Sequence, residues 1–235
     1  AAVLTEPTTG RIIVANAGAL TFELRVAGRA AHGSTRLEGH SAFEAFLPIY
    51  AALHELERER NTHPHSLFDG TALPYPISVG TIRAGDWASS VPDLLIAEGR
   101  MGVQLGEPPA EARAALERAL ARVSESDAWL RDHPVELSWP GGQFASGRIA
   151  GDDPLIADTA AVIADVEGRS AATAAAPYGS DLRLYSGIGG IPTLHYGPGD
   201  VRYAHAPREQ VDIEELIRTA RSLAVLAVRR CGAFI

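Results

Sequence analysis

The stretch Leu20-Thr21-Phe22-Glu23-Leu24-Arg25-Val26 decides how the chain is read. Apolar residues occupy every second position, the period of a strand with one buried and one wet face. Downstream, Gly28 to His40 is a polar loop. Ser41 and Glu44 then form a capping box, with Phe43, Phe46, Leu47, Tyr50 and Leu53 at helical spacing to about Arg60. Thr62 to Tyr75 is rich in His and Pro and reads as a loop. Strands are expected over Pro76–Ile82 and Leu94–Leu105, the second with Leu95, Ala97, Met101, Val103 and Leu105 on one face beside Gly99. Pro109 opens a helix where a missing N–H costs nothing, and Ala112, Leu116, Leu120 and Val123 form its stripe. Val135, Leu137 and Trp139 alternate again. Strand, helix, strand, strand, helix, strand is the order of a split βαβ, ferredoxin-like sandwich, placed at residues 18–142.

The flanks have a different character. Ala1 to Val14 holds two short apolar runs around Glu6-Pro7-Thr8-Thr9-Gly10. After Pro140-Gly141-Gly142, Asp153-Pro154 caps a helix carrying Leu155, Thr159, Val162, Ile163 and Val166. Ile191–Tyr196 reads as a short buried strand. Asp212 and Glu215 cap a last helix expected to turn Ile213, Leu216, Ile217, Ala220 and Leu223 inward. This alternation of α and β belongs to a different layer architecture, so residues 1–17 and 143–235 are assigned to one discontinuous α/β domain.

Composition narrows the class. The chain has 235 residues, 46% hydrophobic and 21% charged, which suits a globular protein with a real core. A net charge of −8 argues against a nucleic-acid partner, whose phosphates demand a basic surface. No apolar run approaches the ~18 residues of a membrane span. A single cysteine, Cys231, excludes an internal disulfide and fits a reducing, cytoplasmic compartment.

Several residues have the chemistry of a site, each with a plain alternative. Glu6, before Pro7 at a strand end, is either a metal ligand or an ordinary turn glutamate. His205, in the loop before the last helix, can bind a metal or a backbone carbonyl. Two ligands fall short of the three protein groups a catalytic zinc takes. His32, just past the first sandwich strand, can hold an oxyanion or simply decorate its loop. Arg100 can clamp a carboxylate bidentately or only solvate a strand face. The glycine-rich run around Tyr178-Gly179-Ser180-Asp181 either lets backbone N–H groups approach an anion or makes tight turns. His63 and His65 have a chelating spacing, but only Asp69 nearby, and read as structural.

In chain order, TEPT (Thr5–Thr8), AAHGS (Ala30–Ser34), SVGTIRAGDWASSVPD (Ser78–Asp93), EGRMG (Glu98–Gly102), YGSD (Tyr178–Asp181) and YAHAP (Tyr203–Pro207) resemble the M20 family of metallopeptidases and deacylases. That group includes acetylornithine deacetylase, succinyl-diaminopimelate desuccinylase and the glutamate carboxypeptidases. The resemblance covers essentially the whole chain, as the C-terminal portion of such an enzyme. It implies an α/β, zinc-peptidase-like catalytic portion with an inserted α+β lid and dimerisation domain. It implies hydrolysis of the amide bond of N-acyl amino acids or small peptides with a free carboxylate. Two zinc ions per intact active site, or cobalt in their place, are implied as cofactors.

By the same resemblance Glu6 and His205 match metal ligands. His32 matches the histidine that reaches into the partner's active site and polarises the scissile carbonyl. Arg100 matches the arginine that recognises the substrate carboxylate, and Tyr178, Gly179 and Ser180 line that pocket with Asp181 behind them. The sandwich is implied to build a homodimer. The family commonly has Asn where Ser89 or Ser90 stands here, which weakens the assignment of Ser89 as a substrate contact. No His-x-Asp motif occurs, and Glu214-Glu215 falls inside the last capping box. The bridging ligand and general base are therefore expected outside this chain, which alone is expected to be inactive. The competing readings are a non-catalytic dimerisation or ligand-binding fragment and a pseudoenzyme.

Overall fold

In a computed structural model that describes residues 1–232, the strands are β1 (Ala2–Leu4), β2 (Ile12–Asn16), β3 (Gly18–Ala27), β4 (Ile77–Ala84), β5 (Leu94–Val103), β6 (Glu136–Ser138), β7 (Gln143–Phe144), β8 (Gly147–Arg148), β9 (Thr173–Ala176) and β10 (Thr193–His195). The α-helices are α1 (Ala42–Arg60), α2 (Pro109–Ser126), α3 (Ala128–Asp132), α4 (Pro154–Glu167) and α5 (Ile213–Cys231). They divide into two compact units, one of residues 1–16, 65–70 and 146–235, the other of residues 17–64 and 71–145. No helix among the described residues is long and apolar enough to cross a membrane.

The second unit is an antiparallel sheet in the order β4-β5-β3-β6, with β7 also paired to β3. Crossing from β3 to β4 through α1 and from β5 to β6 through α2 gives the split βαβ topology. Leu20, Phe22, Leu24 and Val26 are fully buried, as are Leu95, Ala97, Met101 and Val103 opposite them. They meet Phe46, Ile49 and Leu53 of α1 and Ala112, Leu116 and Leu120 of α2 in one core. Gly99 is dictated by this packing, because a Cβ there would lie 2.3 Å from the Phe22 ring and 2.5 Å from the Ser78 carbonyl. A buried ion pair closes one end: Arg60 donates to both oxygens of Glu107 and to the Gly102 carbonyl (3.0 Å). The polar stretch after β3 is built rather than loose. It carries a 3₁₀ turn over Gly33–Glu38 and is stitched by Val91 N–H to Ala31 O (2.9 Å) and Gly33 N–H to Ser89 O (2.7 Å).

In the first unit β1 runs parallel to β10, β10 antiparallel to β2, and β2 parallel to β9 and antiparallel to β8. One core gathers Ile12, Val14, Leu194 and Tyr196 with Leu155, Val162 and Ile163 of α4 and Leu226 of α5. Asp153 caps α4 as its sequence suggests, its carboxylate accepting the Leu155 N–H (2.9 Å). The last helix departs from expectation. Ile213 and Leu216 are 69% and 47% exposed, and the buried residues are Thr219, Ser222 and Leu226. Ser222 tolerates burial because it donates to the Glu167 carboxylate (2.8 Å), a partner from α4 that helical periodicity cannot reveal.

Candidate functional site

In the first unit the strand ends carry the site residues. Thr9 (φ 53°) and Gly10 (φ 69°) are the centre of a tight turn closed by Arg11 N–H to Thr8 O (3.1 Å). Two positive φ values in succession mark a type I′ geometry, costly for a β-branched residue. The segment is held by the Gly197-Pro198-Gly199 turn. Thr8 Oγ1 donates to Gly197 O (3.0 Å), Gly197 N–H returns to Thr8 Oγ1 (3.3 Å), and Thr9 N–H reaches Gly199 O (2.9 Å). A Cβ on Gly197 would lie 2.4 Å from the Glu6 carbonyl, so only glycine lets the two turns meet this closely. Glu6 is thereby fixed beside the turn that leads to His205. That histidine is exposed and has φ 58°, a left-handed conformation histidine adopts more readily than most side chains.

Tyr178 joins the same region. Its hydroxyl donates to Pro7 O (3.3 Å), and its own carbonyl accepts from Asn16 Nδ2 (3.1 Å). Burial pushes the Tyr178 hydroxyl well above its usual pKa, and the Glu6 charge adds to this while Arg11 opposes it. Tyr178 is therefore a neutral hydrogen-bonding group. Gly179 follows, then Ser180, whose Oγ accepts the Leu182 N–H (3.2 Å) and lies 3.0 Å from His195 Nε2. Asp181 is exposed, its carbonyl accepting from Leu184 N–H (2.8 Å) at the entry to a π-helical turn, Arg183–Ile188.

His195 was not singled out by its sequence, where it sits in an ordinary strand pattern, Thr-Leu-His-Tyr. It is fully buried at the end of β10, and burial lowers its pKa to about 4, so the ring is neutral. The Tyr178 ring lies parallel to it at 6.3 Å. Its Nδ1 has no hydrogen-bond partner among the described residues.

The second unit carries His32, Ser89 and Arg100. The structure brings His32 and the Ser89–Ser90 segment together: His32 pairs with Ser90 across an antiparallel bridge, and Ser89 offers its carbonyl to Gly33. Arg100 lies on the face of β5 opposite the core, flanked by Thr21 on β3 and Ser78 on β4. Burial draws its pKa below the ordinary arginine value, yet a guanidinium keeps its charge. His32 and Arg100 occupy different ends of the sheet. Arg100 is level with Thr21, whereas His32 lies beyond Ala27, six strand residues farther, or about 20 Å. His63 and His65 make no metal site with Asp69; His65 Nδ1 instead accepts the Leu67 N–H (3.1 Å) and caps a 3₁₀ turn.

Among the described residues no group of three or more His, Cys, Asp or Glu gathers to hold an ion. Glu6 and His205 alone do not satisfy one.

Comparison with known proteins agrees with this anatomy. Residues 14–128 match the family model of the peptidase dimerisation domain of M20 enzymes. A probable carboxypeptidase of Aspergillus niger is 28% identical over 96% of this chain and 50% of its own length. An acetylornithine deacetylase of Aliivibrio fischeri is 26% identical over 97% of this chain and 57% of its own. Among solved structures, human carnosine dipeptidase 1 superposes with a TM-score of 0.72 at 11% identity, over 98% of this chain and 58% of that one. A tripeptidase from Staphylococcus aureus gives 0.67 at 17% identity, over 95% and 54%. The chain spans about half the length of the curated relatives it matches. The matched relatives are M20-family hydrolases, among them carboxypeptidases and deacetylases, and this chain resembles that family, with residues 14–128 carrying the dimerisation-domain match.

Proposed function

We propose that this chain is the part of an M20 amidohydrolase that binds and orients the substrate, and that it acts as a homodimer. The substrate is an N-acyl amino acid or a small peptide with a free carboxylate. The observation that carries this reading is the spacing of His32 and Arg100. Side chains stand roughly perpendicular to a sheet, so two groups about 20 Å apart along it cannot grip one small amide. Two copies related by a twofold axis supply both groups to one site.

In this reading Arg100 of one protomer pairs with the substrate carboxylate and fixes its orientation. By the family resemblance Tyr178, Gly179 and Ser180 are substrate-binding residues, with Asp181 behind them, and Ser89 is a substrate contact beside the His32 loop. His32 of the partner subunit donates an N–H to the scissile carbonyl oxygen and stabilises charge that develops there. Glu6 and His205 would each hold one ligand position of a metal ion, zinc by the family resemblance, and a metal held there would supply activation of water for amide hydrolysis. The pairing surface is the open edge of β4 together with the outer face of α1, where Phe43, Leu47 and Tyr50 are 47%, 50% and 41% exposed at one helical period.

The test is subunit complementation in the full-length protein that carries this chain. His32→Ala and Arg100→Ala are each expected to be inactive on a panel of N-acyl amino acids and dipeptides. Dissociated, mixed and reassociated, they should regain about a quarter of native turnover, because half the dimers are mixed and each mixed dimer has one intact site. A mixture that stays inactive, or full activity in either variant alone, refutes the shared site. The chain by itself is expected to turn over nothing.

A further inference from the structure

His32 and His65 do the same backbone work at two places. Each is the capping residue immediately before a 3₁₀ turn, with ψ of 140° and 141°, and each accepts through Nδ1 a backbone N–H two residues on. The distances are 3.2 Å from Ser34 and 3.1 Å from Leu67. A backbone N–H only donates, so this bond favours a neutral ring with a bare Nδ1 and its proton on Nε2 at both histidines. At His32 a second group converges on the same nitrogen: Ser34 Oγ lies 2.8 Å away. His65 has no counterpart, because the residue in that place is Leu67.

The rest of the His32 turn leaves the ring little else to answer to. Its carbonyl accepts from Thr35 N–H (2.9 Å) and Thr35 Oγ1 (3.3 Å), and Gly33 N–H is tied to Ser89 O (2.7 Å). The backbone is pinned on both sides, and the contacts that orient the imidazole are the two from Ser34.

We propose that Ser34 is a positioning residue that locks His32 in its Nε2–H form and turns that N–H away from the turn. The inference rests on the reading of His32 as the group that polarises the scissile carbonyl. That task needs a donor. The other neutral form would present a lone pair to the carbonyl oxygen and repel the charge developing there. No proton is transferred to or from His32 in this role; the ring only donates a hydrogen bond, so its form must be set before substrate arrives. Ser34 sets it with a backbone N–H that donates to Nδ1 and a hydroxyl whose oxygen lies 2.8 Å from the same nitrogen, able to donate to it once the N–H has biased the ring.

The test reads the ring directly. Long-range ¹H–¹⁵N correlation spectra of the histidine-labelled chain above pH 8, assigned with His32→Gln, report which nitrogen of each ring is protonated. His32 should show a proton on Nε2 and a bare Nδ1. Ser34→Ala should raise the Nδ1–H population of His32, leave His65 unchanged, and be reversed by Ser34→Thr. In the full-length protein Ser34→Ala should lower kcat about tenfold with KM within about twofold, less than the ~100-fold loss when a whole oxyanion donor is removed. A native His32 with its proton on Nδ1 overturns the proposal, and so does an unchanged ring in Ser34→Ala or a shifted ring with undiminished kcat. Should His32→Ala keep full turnover, the catalytic reading of His32 falls with it. If His32→Ala is dead and only Ser34 proves neutral, that reading stands and the proposal alone fails.

Discussion

Glu167 is the side chain on which the first unit should depend most visibly. Its carboxylate ends α4 and is 4% exposed. It accepts one hydrogen bond from the Tyr196 hydroxyl, another from Ser222 Oγ (2.8 Å), and a third from Arg169 Nε (2.9 Å). Helix α4, helix α5 and the chain just past β10 therefore meet on one anion. Glu167→Gln keeps the shape and removes the charge. The amide oxygen can still accept from both hydroxyls, but each bond becomes neutral, a loss of about 1 kcal/mol apiece. The amide NH₂ then faces the Arg169 guanidinium, which is 39% exposed and can turn to water at about 0.5 kcal/mol. The expected cost is about 2–3 kcal/mol, a fall in Tm of roughly 4–12 °C for a chain of this size. Tyr196→Phe, which deletes one bond and keeps the ring, should cost about 1 kcal/mol.

Urea titration at pH 7, followed by far-ultraviolet circular dichroism, measures both variants. A Glu167→Gln chain within 0.5 kcal/mol of native, by the usual ~±0.5 scatter of neutral surface changes, would refute the argument. The cost of burying the carboxylate would then have cancelled its hydrogen bonds. Acid adds a second check. Burial alone would raise the Glu167 pKa, but the bonds from Tyr196, Ser222 and Arg169 and the Arg169 charge outweigh it and hold the pKa below the ordinary 4.5. A depressed carboxylate pKa contributes stability above the unfolded value, lost as pH falls through the folded one. The Gln variant should therefore lose less stability than the native chain below pH 4.5.

The remaining predictions concern pH and assembly. His195 is held at about 4 against an ordinary 6.5, so the unfolded chain takes up its proton first as pH falls. Stability should drop by about 1 kcal/mol between pH 7.5 and 5.5 and continue falling toward pH 4, a slope that His195→Gln should abolish in urea titrations. An unchanged slope in that variant would assign the effect to other groups. On α1, Phe43→Glu with Leu47→Glu places two charges on the exposed stripe and should convert a dimer to a monomer by light scattering, with the helical signal retained. A dimer that survives both changes would move the interface elsewhere.

Local chemistry made much of this fold legible. Ser41 does accept the Glu44 N–H (3.3 Å), and α1 runs from Ala42 to Arg60 as its cap and apolar spacing imply, although of that spacing Phe46 and Leu53 are buried while Phe43, Leu47 and Tyr50 are exposed. The α2 stripe is buried as its period implies. What stayed hidden is non-local. Thr173–Ala176 is a strand because β2 lies parallel to it, although three alanines in a row carry no alternation and favour helix. The inward face of α5 lies at Thr219, Ser222 and Leu226, where the Ser222 hydroxyl meets the Glu167 carboxylate. At the site, Glu6, Tyr178 and the Gly197 turn were visible as residues, but their convergence depends on segments far apart in sequence. His195 left no trace in periodicity. His32 could be read as a loop histidine, whereas its occupied Nδ1 could not.

The pairing of Ala19 with Phe144 brings together the first and last strands of the unit made of residues 17–64 and 71–145, and Asn16 and Gly147 pair just outside that stretch. Closing a loop of that length in an unfolded chain costs about 4 kcal/mol of entropy. Once the inserted unit has folded, that closure is already made, and β2 and β8 meet as if joined by a short turn. Folding order follows from this. During synthesis the insertion leaves the ribosome ahead of β9 and β10, while Ile12 and Ile13 still lack both of these partners. For that interval an apolar strand with open edges is presented to the cell, and it is there that sticking to other chains, or capture by a chaperone, competes with the native sheet.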